Sequence, residues 1–340
     1  MKKKILSVLK YIVFLSIGIA LFWLAIRGED IHQILNEFKH VNYFWIAVSV
    51  ILMIASHVIR ALRWNLLIET LNYKTKTITT FYAVMIGYFV NLAVPRLGEV
   101  SRCGVLAKHD KVPVHSLFGT VIAERVFDVI TLFIIILITI LTQLGFLSDF
   151  IQKHILTPAE QKFSGNLIFI ITCGGLILLF AFAAFYLYRV FKRKVVEHTF
   201  AYKIKNLIEG FFTGIKTIKH VENKKLFLLY TMFLWSVYYL TIYVAFFAMQ
   251  ATSGLQPIDA LTILAIGSIG TLIPTPGGIG AYQYIVSLAL VGLFAISKLP
   301  ASSFANILYF SQWFMIIIVG GLSWGLLILS EKRTEKHEKK

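Results

Sequence analysis

Long apolar runs alternate along the chain with short polar connections, and the run lengths predict transmembrane helices. Apolar stretches fall at about residues 5–26, 43–64, 116–144, 166–188, 226–250 and 303–329, each long enough to cross roughly 30 Å of hydrocarbon as a helix. Two further apolar segments, 78–115 and 258–296, are each interrupted once by a P-x-x-G element. The first break holds Val94, Pro95, Arg96, Leu97 and Gly98, and the second, within 272–280, holds Pro274, Pro276, Gly277, Gly278 and Gly280. Proline removes a backbone donor and glycine lets the chain turn sharply, so each segment predicts two short helices joined at a break. In hydrocarbon the freed backbone groups must meet protein, water or a ligand, and many transporters build a binding site at such a point. A plain kink or a loop between short helices is the alternative.

Composition agrees with the pattern. The 340 residues are 58% hydrophobic and 15% charged, with a mean hydropathy of +0.77. This is the composition of an all-α polytopic membrane protein, a single integral membrane domain over 1–340. A net charge of +16 would suggest nucleic acid for a soluble chain. Here Lys and Arg cluster between apolar runs, which points to the anionic inner leaflet and not to nucleic acid. Cys103 and Cys173 are far apart with no metal-ligand spacing around them, and no motif calls for a cofactor. The run after Met1 and three lysines resembles a secretory signal, but it is long and lacks a small-residue cleavage site, so it reads as a retained first span.

Charge asymmetry orients the spans. Segment 27–42 balances Arg27 and Lys39 against Glu29, Asp30 and Glu37 and reads as external, whereas 60–76, 189–225 and 331–340 are basic and read as cytoplasmic, which puts both termini in the cytoplasm. Segment 78–115 must then enter and leave from the cytoplasm, and 258–296 from outside. The chain resolves into two units of span, span, hairpin, span in opposite orientation: 1–145 and 166–330. Inverted repeats with broken helices near the midplane characterise many secondary transporters; a hairpin that is really two thin spans, with accidental symmetry, is the alternative. Within the connector 189–225, Phe200, Ile204, Leu207, Ile208, Phe211, Ile215 and Ile218 recur at helical spacing between lysines, as in an amphipathic helix lying on the cytoplasmic leaflet.

Charges inside apolar runs are the sharpest chemical signal. Glu124, Arg125 and Asp128 lie about 12 to 18 Å along a helix starting near Ser116, at roughly 1.5 Å per residue. Glu124 and Asp128 share a face, and Arg125 points about 100° away. Arg60 and Arg63 share a face at the end of the second span, with His57 one turn deeper, and Arg96, Glu99 and Arg102 follow the first break on one helical face. Together Arg60, Arg63, Arg96, Arg102 and Arg125 suit a cationic pocket, partly balanced by Glu99, Glu124 and Asp128, and guanidinium forks suit phosphate oxygens. A set of internal Arg–carboxylate pairs that lock helices together is the alternative; for Arg60 and Arg63, so is snorkelling to lipid phosphates. The second hairpin is neutral, with Ser268, Thr271, Thr275, Tyr282, Gln283 and Tyr284, and Asn306, Ser311 and Gln312 follow on the last span. These side chains suit the sugar or glycerol part of a headgroup, or ordinary interhelical hydrogen bonding.

Four motifs occur in order: R-A-L-R-W at 60–64, P-R-L-G-E-x-x-R at 95–102, E-R-x-x-D at 124–128 and P-x-P-G-G-I-G at 274–280. Together they resemble the lysylphosphatidylglycerol synthase transmembrane-region family over about residues 5–330. That family includes the flippase half of bacterial aminoacyl-phosphatidylglycerol synthases and stand-alone membrane proteins. The resemblance implies movement or handling of phospholipids or related lipid-linked headgroups in the bacterial inner membrane. Two departures matter: many relatives carry Glu where this chain has Gln283, and the soluble aminoacyl-transferase domain is absent from this sequence. The expectation is therefore a lipid translocator for a phospholipid or polyprenyl-linked lipid and not an enzyme, with a separate lipid-modifying enzyme as a candidate partner. An intramembrane enzyme using Glu124 or Asp128 as general base, and a small-anion or proton-coupled transporter, are the alternatives.

Overall fold

The computed structural model describes residues 16, 18–25, 27, 31–94, 97–143, 221–273 and 275–338. Pro95, Arg96 and Pro274, the span expected at 166–188 and nearly all of the amphipathic connector 189–225 lie outside the described residues. Those described form helices and no strand: 18–25, then α1 (Ile31–Lys39), α2 (Tyr43–Glu69), α3 (Thr77–Ala93), α4 (Gly98–Asp110), α5 (Val114–Thr142), α6 (Lys224–Phe246), α7 (Pro257–Leu272), α8 (Ala281–Phe294) and α9 (Lys298–Glu338).

Local chemistry sets several starts. The Asn42 side chain accepts from the Phe44 N–H at 3.1 Å and opens α2, and Asn223 accepts from the Leu226 N–H at 3.3 Å and opens α6. At α7, Pro257 occupies the first turn while the Asp259 carboxylate accepts from the Gln256 N–H at 2.7 Å. Among the described residues α2, α6 and the 298–330 part of α9 are long and apolar enough to cross a membrane, whereas α3, α7 and α8 are shorter apolar helices. Large apolar side chains remain uncovered on the outside, among them Met232 and Phe233 on α6, Leu137 and Leu141 on α5, and Phe314, Ile318 and Leu322 on α9. Lipid is the medium in which such a surface is stable.

Both breaks produce antiparallel hairpins. In the first, α3 and α4 approach so closely at Gly87 and Gly98 that a β-carbon on Gly98 would run into the Gly87 carbonyl. The Asn91 side chain accepts from the Gly98 N–H at 3.3 Å, partnering one of the free donors at the start of α4. In the second hairpin Gly267 and Gly270 on α7 pack against Tyr282 and Ile285 on α8. Between those helices Pro276–Gly278 forms a tight turn, and Gly277, Gly278 and Gly280 have φ of 58°, 84° and 78°. That left-handed region is open to glycine and strained for most other residues.

Two larger buried clusters fill the interior. One gathers Trp64, Leu67, Ile68, Ala83, Cys103, Leu106 and Leu117 from α2–α5 with Phe227 of α6; the other gathers Phe246, Ile263, Val286, Leu290 and Phe304 from α6–α9 with Ile46 of α2. A third, smaller cluster joins Met85 of α3 to Met315 and Ile316 of α9. The halves are thus not separate lobes: α2 runs against α6, α3 against α9 and α7 against α5.

Two elements differ from the sequence expectation. Helix α1 lies in the segment read as a polar external connection, with its Phe38 packed on the second core. And α9 continues past 329 to Glu338, because the only proline lies in its first turn, where no intrahelical donor is lost.

The close approach in the first hairpin generates a stability contrast. Gly98→Ala, forced against the Gly87 backbone, is expected to lower the thermal unfolding temperature of the detergent-purified protein by several degrees, a loss of about 1–3 kcal/mol. Gly104→Ala, where a β-carbon meets nothing within 4 Å, should leave it unchanged or raise it slightly.

Candidate functional site

The motifs at 60–64 and 124–128 meet in the interior. Arg60 and Arg63, one turn apart on α2, face Glu124 and Asp128, one turn apart on α5. One Arg60 nitrogen lies 2.5 Å from Glu124 and 3.2 Å from Asp128, and Arg63 reaches Glu124 at 3.1 Å and Asp128 at 2.7 Å. From α4, Arg102 comes within 3.0 Å of the other Glu124 oxygen. Arg63 and Glu124 are fully buried, and Arg60 and Arg102 nearly so. Three guanidiniums therefore share two carboxylates. In a dry interior such charges persist only when paired and hydrogen-bonded.

Neutral neighbours complete the cluster. Arg60 also donates to the Tyr238 hydroxyl at 3.0 Å and Arg63 to Thr231 at 3.3 Å. Arg102 lies over the Trp64 ring, 4.5 Å from its centroid, while the Trp64 N–H donates to Thr120 at 2.9 Å. His57 is buried next to Tyr88, ring centroids 4.5 Å apart, and neither of its nitrogens has a hydrogen-bond partner among the described residues.

Arg125 behaves differently. It points away from Glu124, keeps 44% of its side-chain surface exposed, and pairs with Glu99 of α4 at 3.2 Å. It also lies 3.8 Å from Asp128. Arg125 and Glu99 line a cavity of about 610 Å³ bordered by residues of α2, α5, α6, α9 and the two hairpins. Uncharged residues line it as well: Ser268, Thr271, Thr275, Gly277, Gly278 and Tyr282 from the second hairpin, with Tyr309, Gln312 and Trp313 from α9. Tyr309 donates its hydroxyl to the Gly277 carbonyl, and a β-carbon on Gly277 would come within 2.7 Å of the Trp313 ring. The turn is thereby fastened to α9.

The expected site residues separate into three groups. Arg60, Arg63, Arg102, Glu124 and Asp128 are engaged with one another, which is the arrangement of internal pairs; Glu99, Arg125, Tyr282 and Gln312 face the cavity; Arg96 and Pro95 lie outside the described residues, as does Pro274. Gln283 is fully buried and caps α8, its side-chain oxygen accepting from the Gly280 N–H at 2.8 Å, so it contributes to the turn and not to that cavity's lining. The sequence reasoning missed Thr231 and Tyr238, whose spacing of two turns puts both on one face of α6, and it missed Tyr309 and Trp313, one turn apart on α9.

Glu124→Gln is expected to destabilise the protein by about 3–5 kcal/mol, since it strips the carboxylate shared by three buried arginines. Arg125→Ala, on a half-exposed pair, should cost under about 1 kcal/mol. Thermal unfolding of both variants in detergent checks the difference.

The lysylphosphatidylglycerol synthase TM region family matches residues 8–320. The chain is similar to a UPF0104 membrane protein of Methanocaldococcus jannaschii, 23% identical over 350 residues covering 100% of this chain and 98% of the relative. It is similar also to a UPF0104 membrane protein of Pyrococcus horikoshii, at 23% identity over 92% and 96% of the two chains. A glycosyltransferase, AglD, of Haloferax volcanii is 21% identical over 90% of this chain but only 52% of its own length. No solved structure matches. With nearly the whole sequence matched, this chain belongs to the lysylphosphatidylglycerol synthase TM region family, a family of multi-pass membrane proteins with a lipid-related role.

Proposed function

We propose that the chain carries a phosphate-bearing lipid headgroup from one leaflet of the membrane to the other through the cavity between its two broken hairpins. The carrying observation is the placement of Arg125: among the described residues the buried Arg60, Arg63 and Arg102 are occupied by carboxylates, whereas this guanidinium keeps exposed surface and lines a cavity of about 610 Å³. That volume lies within the range of roughly 300–1,000 Å³ that holds small ligands. Guanidinium is suited to phosphate oxygens, and Glu99 is a partner that a phosphate can displace.

The packing supports alternation between two inverted units. Exchange of the units maps α2 onto α6, the first hairpin onto the second, and α5 onto α9. Some contacts favour that exchange, since α2 meets α6, and α3 against α9 is the counterpart of α7 against α5. Rocking of one unit on the other then exposes the cavity to each side in turn, with both termini in the cytoplasm and the basic connections against the anionic inner leaflet. A carrier role rather than an enzymatic one is supported by Glu124 and Asp128: the candidate bases have their oxygens engaged by arginines and do not line the cavity. The family name and the glycosyltransferase relative favour a lipid-linked cargo supplied or used by a separate enzyme.

Lipid movement in proteoliposomes tests this reading, using headgroup-labelled phosphatidylglycerol and polyprenyl phosphate lipids. Protein-dependent translocation is expected, slowed roughly ten- to hundredfold in Arg125→Ala because a charge-assisted contact of about 1.5–3 kcal/mol is lost, and partly restored in Arg125→Lys. Full-rate movement in Arg125→Ala removes the proposed phosphate contact, and no movement of any lipid removes the carrier reading.

A further inference from the structure

The charges in the interior do not balance. Arg60, Arg63 and Arg102 face Glu124 and Asp128, and the Arg125–Glu99 pair beside them adds one charge of each sign. Among the described residues, four guanidiniums therefore meet three carboxylates. Guanidiniums stay charged in proteins, and a proton on any of the carboxylates only widens the difference. The imbalance settles on Arg102. Arg60 donates to Glu124, Asp128 and Tyr238, and Arg63 to Glu124, Asp128 and Thr231. The ion pair of Arg102 with Glu124, at 3.0 Å, lacks hydrogen-bond alignment, and its Nε and Nη2 donors have no hydrogen-bond partner among the described residues. The Trp64 ring beneath this guanidinium offsets part of the charge and not the whole.

Arg102 also lines a second, much smaller cavity. This recess of about 20 Å³ lies between α3, α4 and α5, against Arg102, Arg125, Glu99, Asn91, Tyr88 and the two crossing glycines. Its volume suffices for one water or one monatomic ion and not for a lipid headgroup. Tyr88, Asn91, Glu99 and Arg125 border the large cavity as well, so the recess adjoins it.

We propose that the recess binds a small monovalent anion, chloride or one of its size, between Arg102 and Arg125. A water fills the space but leaves the surplus charge in a dry interior, whereas an anion answers both. The lining is rich in donors. Beside the two guanidiniums stands the Asn91 amide, whose oxygen already accepts from the Gly98 N–H at 3.3 Å. Gly98 begins α4, so the positive end of that helix dipole lies at the recess too. Glu99 opposes an anion there, but its charge is taken by Arg125. The site is independent of the carrier reading, since it balances charge whether or not lipid moves.

Thermal unfolding of the purified full chain in detergent tests this, with chloride exchanged for gluconate at constant ionic strength so that surface screening is unchanged. Chloride, and bromide in its place, should raise the unfolding temperature saturably, by roughly 2–5 °C at a hundredfold excess over half-saturation. Arg102→Gln, which removes the surplus charge, should abolish that rise, and Arg102→Lys, which keeps the charge, should retain it. Should Arg102→Gln fail to fold, anomalous scattering from bromide-grown crystals of the unsubstituted protein decides alone, with a bromide peak beside Arg102 as the expected result. Equal unfolding temperatures in chloride and gluconate, a rise that survives in Arg102→Gln, or a water and no bromide in the recess overturns the site. A rise given by short-chain phosphatidylglycerol and not by chloride assigns the balancing charge to a lipid phosphate and overturns it as well.

Discussion

A guanidinium held away from water must meet a carboxylate, and the first half of this protein is arranged around that requirement. Glu124 receives Arg60, Arg63 and Arg102 from two other helices, so one carboxylate joins α2, α4 and α5. The apolar packing of Trp64, Leu106, Leu117 and their neighbours surrounds the same point and excludes the water that would weaken it. Pairing alone is weak evidence of net stability, because desolvation offsets much of the attraction. Its effect here is on geometry: the helices can sit in the registers that bring these atoms together and in few others.

The second half meets a different constraint by different means. Its break carries no charge, and the turn is secured by positive-φ glycines, the Gln283 cap and the Tyr309 hydroxyl. Freed backbone groups there find partners within the protein, the Gly278 N–H at Thr275, the Gly280 N–H at Gln283 and the Gly277 carbonyl at Tyr309, as hydrocarbon demands. Both hairpins close by tight glycine packing, ion pairs tie the first to α5, and residues of both line the cavity.

Much of this was legible in the sequence. Run length and composition were enough for the helices, since a hydrophobic stretch of some twenty residues has few other outcomes. The breaks announced themselves through proline and glycine. The charged residues were identifiable one by one, and the faces of α2 and α5 followed from spacing. What spacing within one helix does not encode is which helix stands opposite. A pocket of free arginines and a lattice of paired ones have the same pattern, and the distances to Glu124 and Asp128 separate them. Arg125 was distinguished in advance only by its angle. Thr231, Tyr238, Tyr309 and Trp313 belong to ordinary-looking apolar helices, and they gain a role only through neighbours more than a hundred residues away or, for the last two, through a turn some thirty residues upstream.

Gly280 stands so close to Gly18 that a β-carbon there would collide with the Gly18 carbonyl, and the Phe22 nitrogen lies 2.7 Å from the same position. Backbone pressed on backbone leaves no compliant side chain in between to absorb a shift. A displacement of the second hairpin tip must therefore be handed directly to the helix at 18–25, which moves with it as one lever or breaks the contact outright. The amino-terminal helix is in this sense a mechanical part of the second hairpin, although some 260 residues of chain separate them.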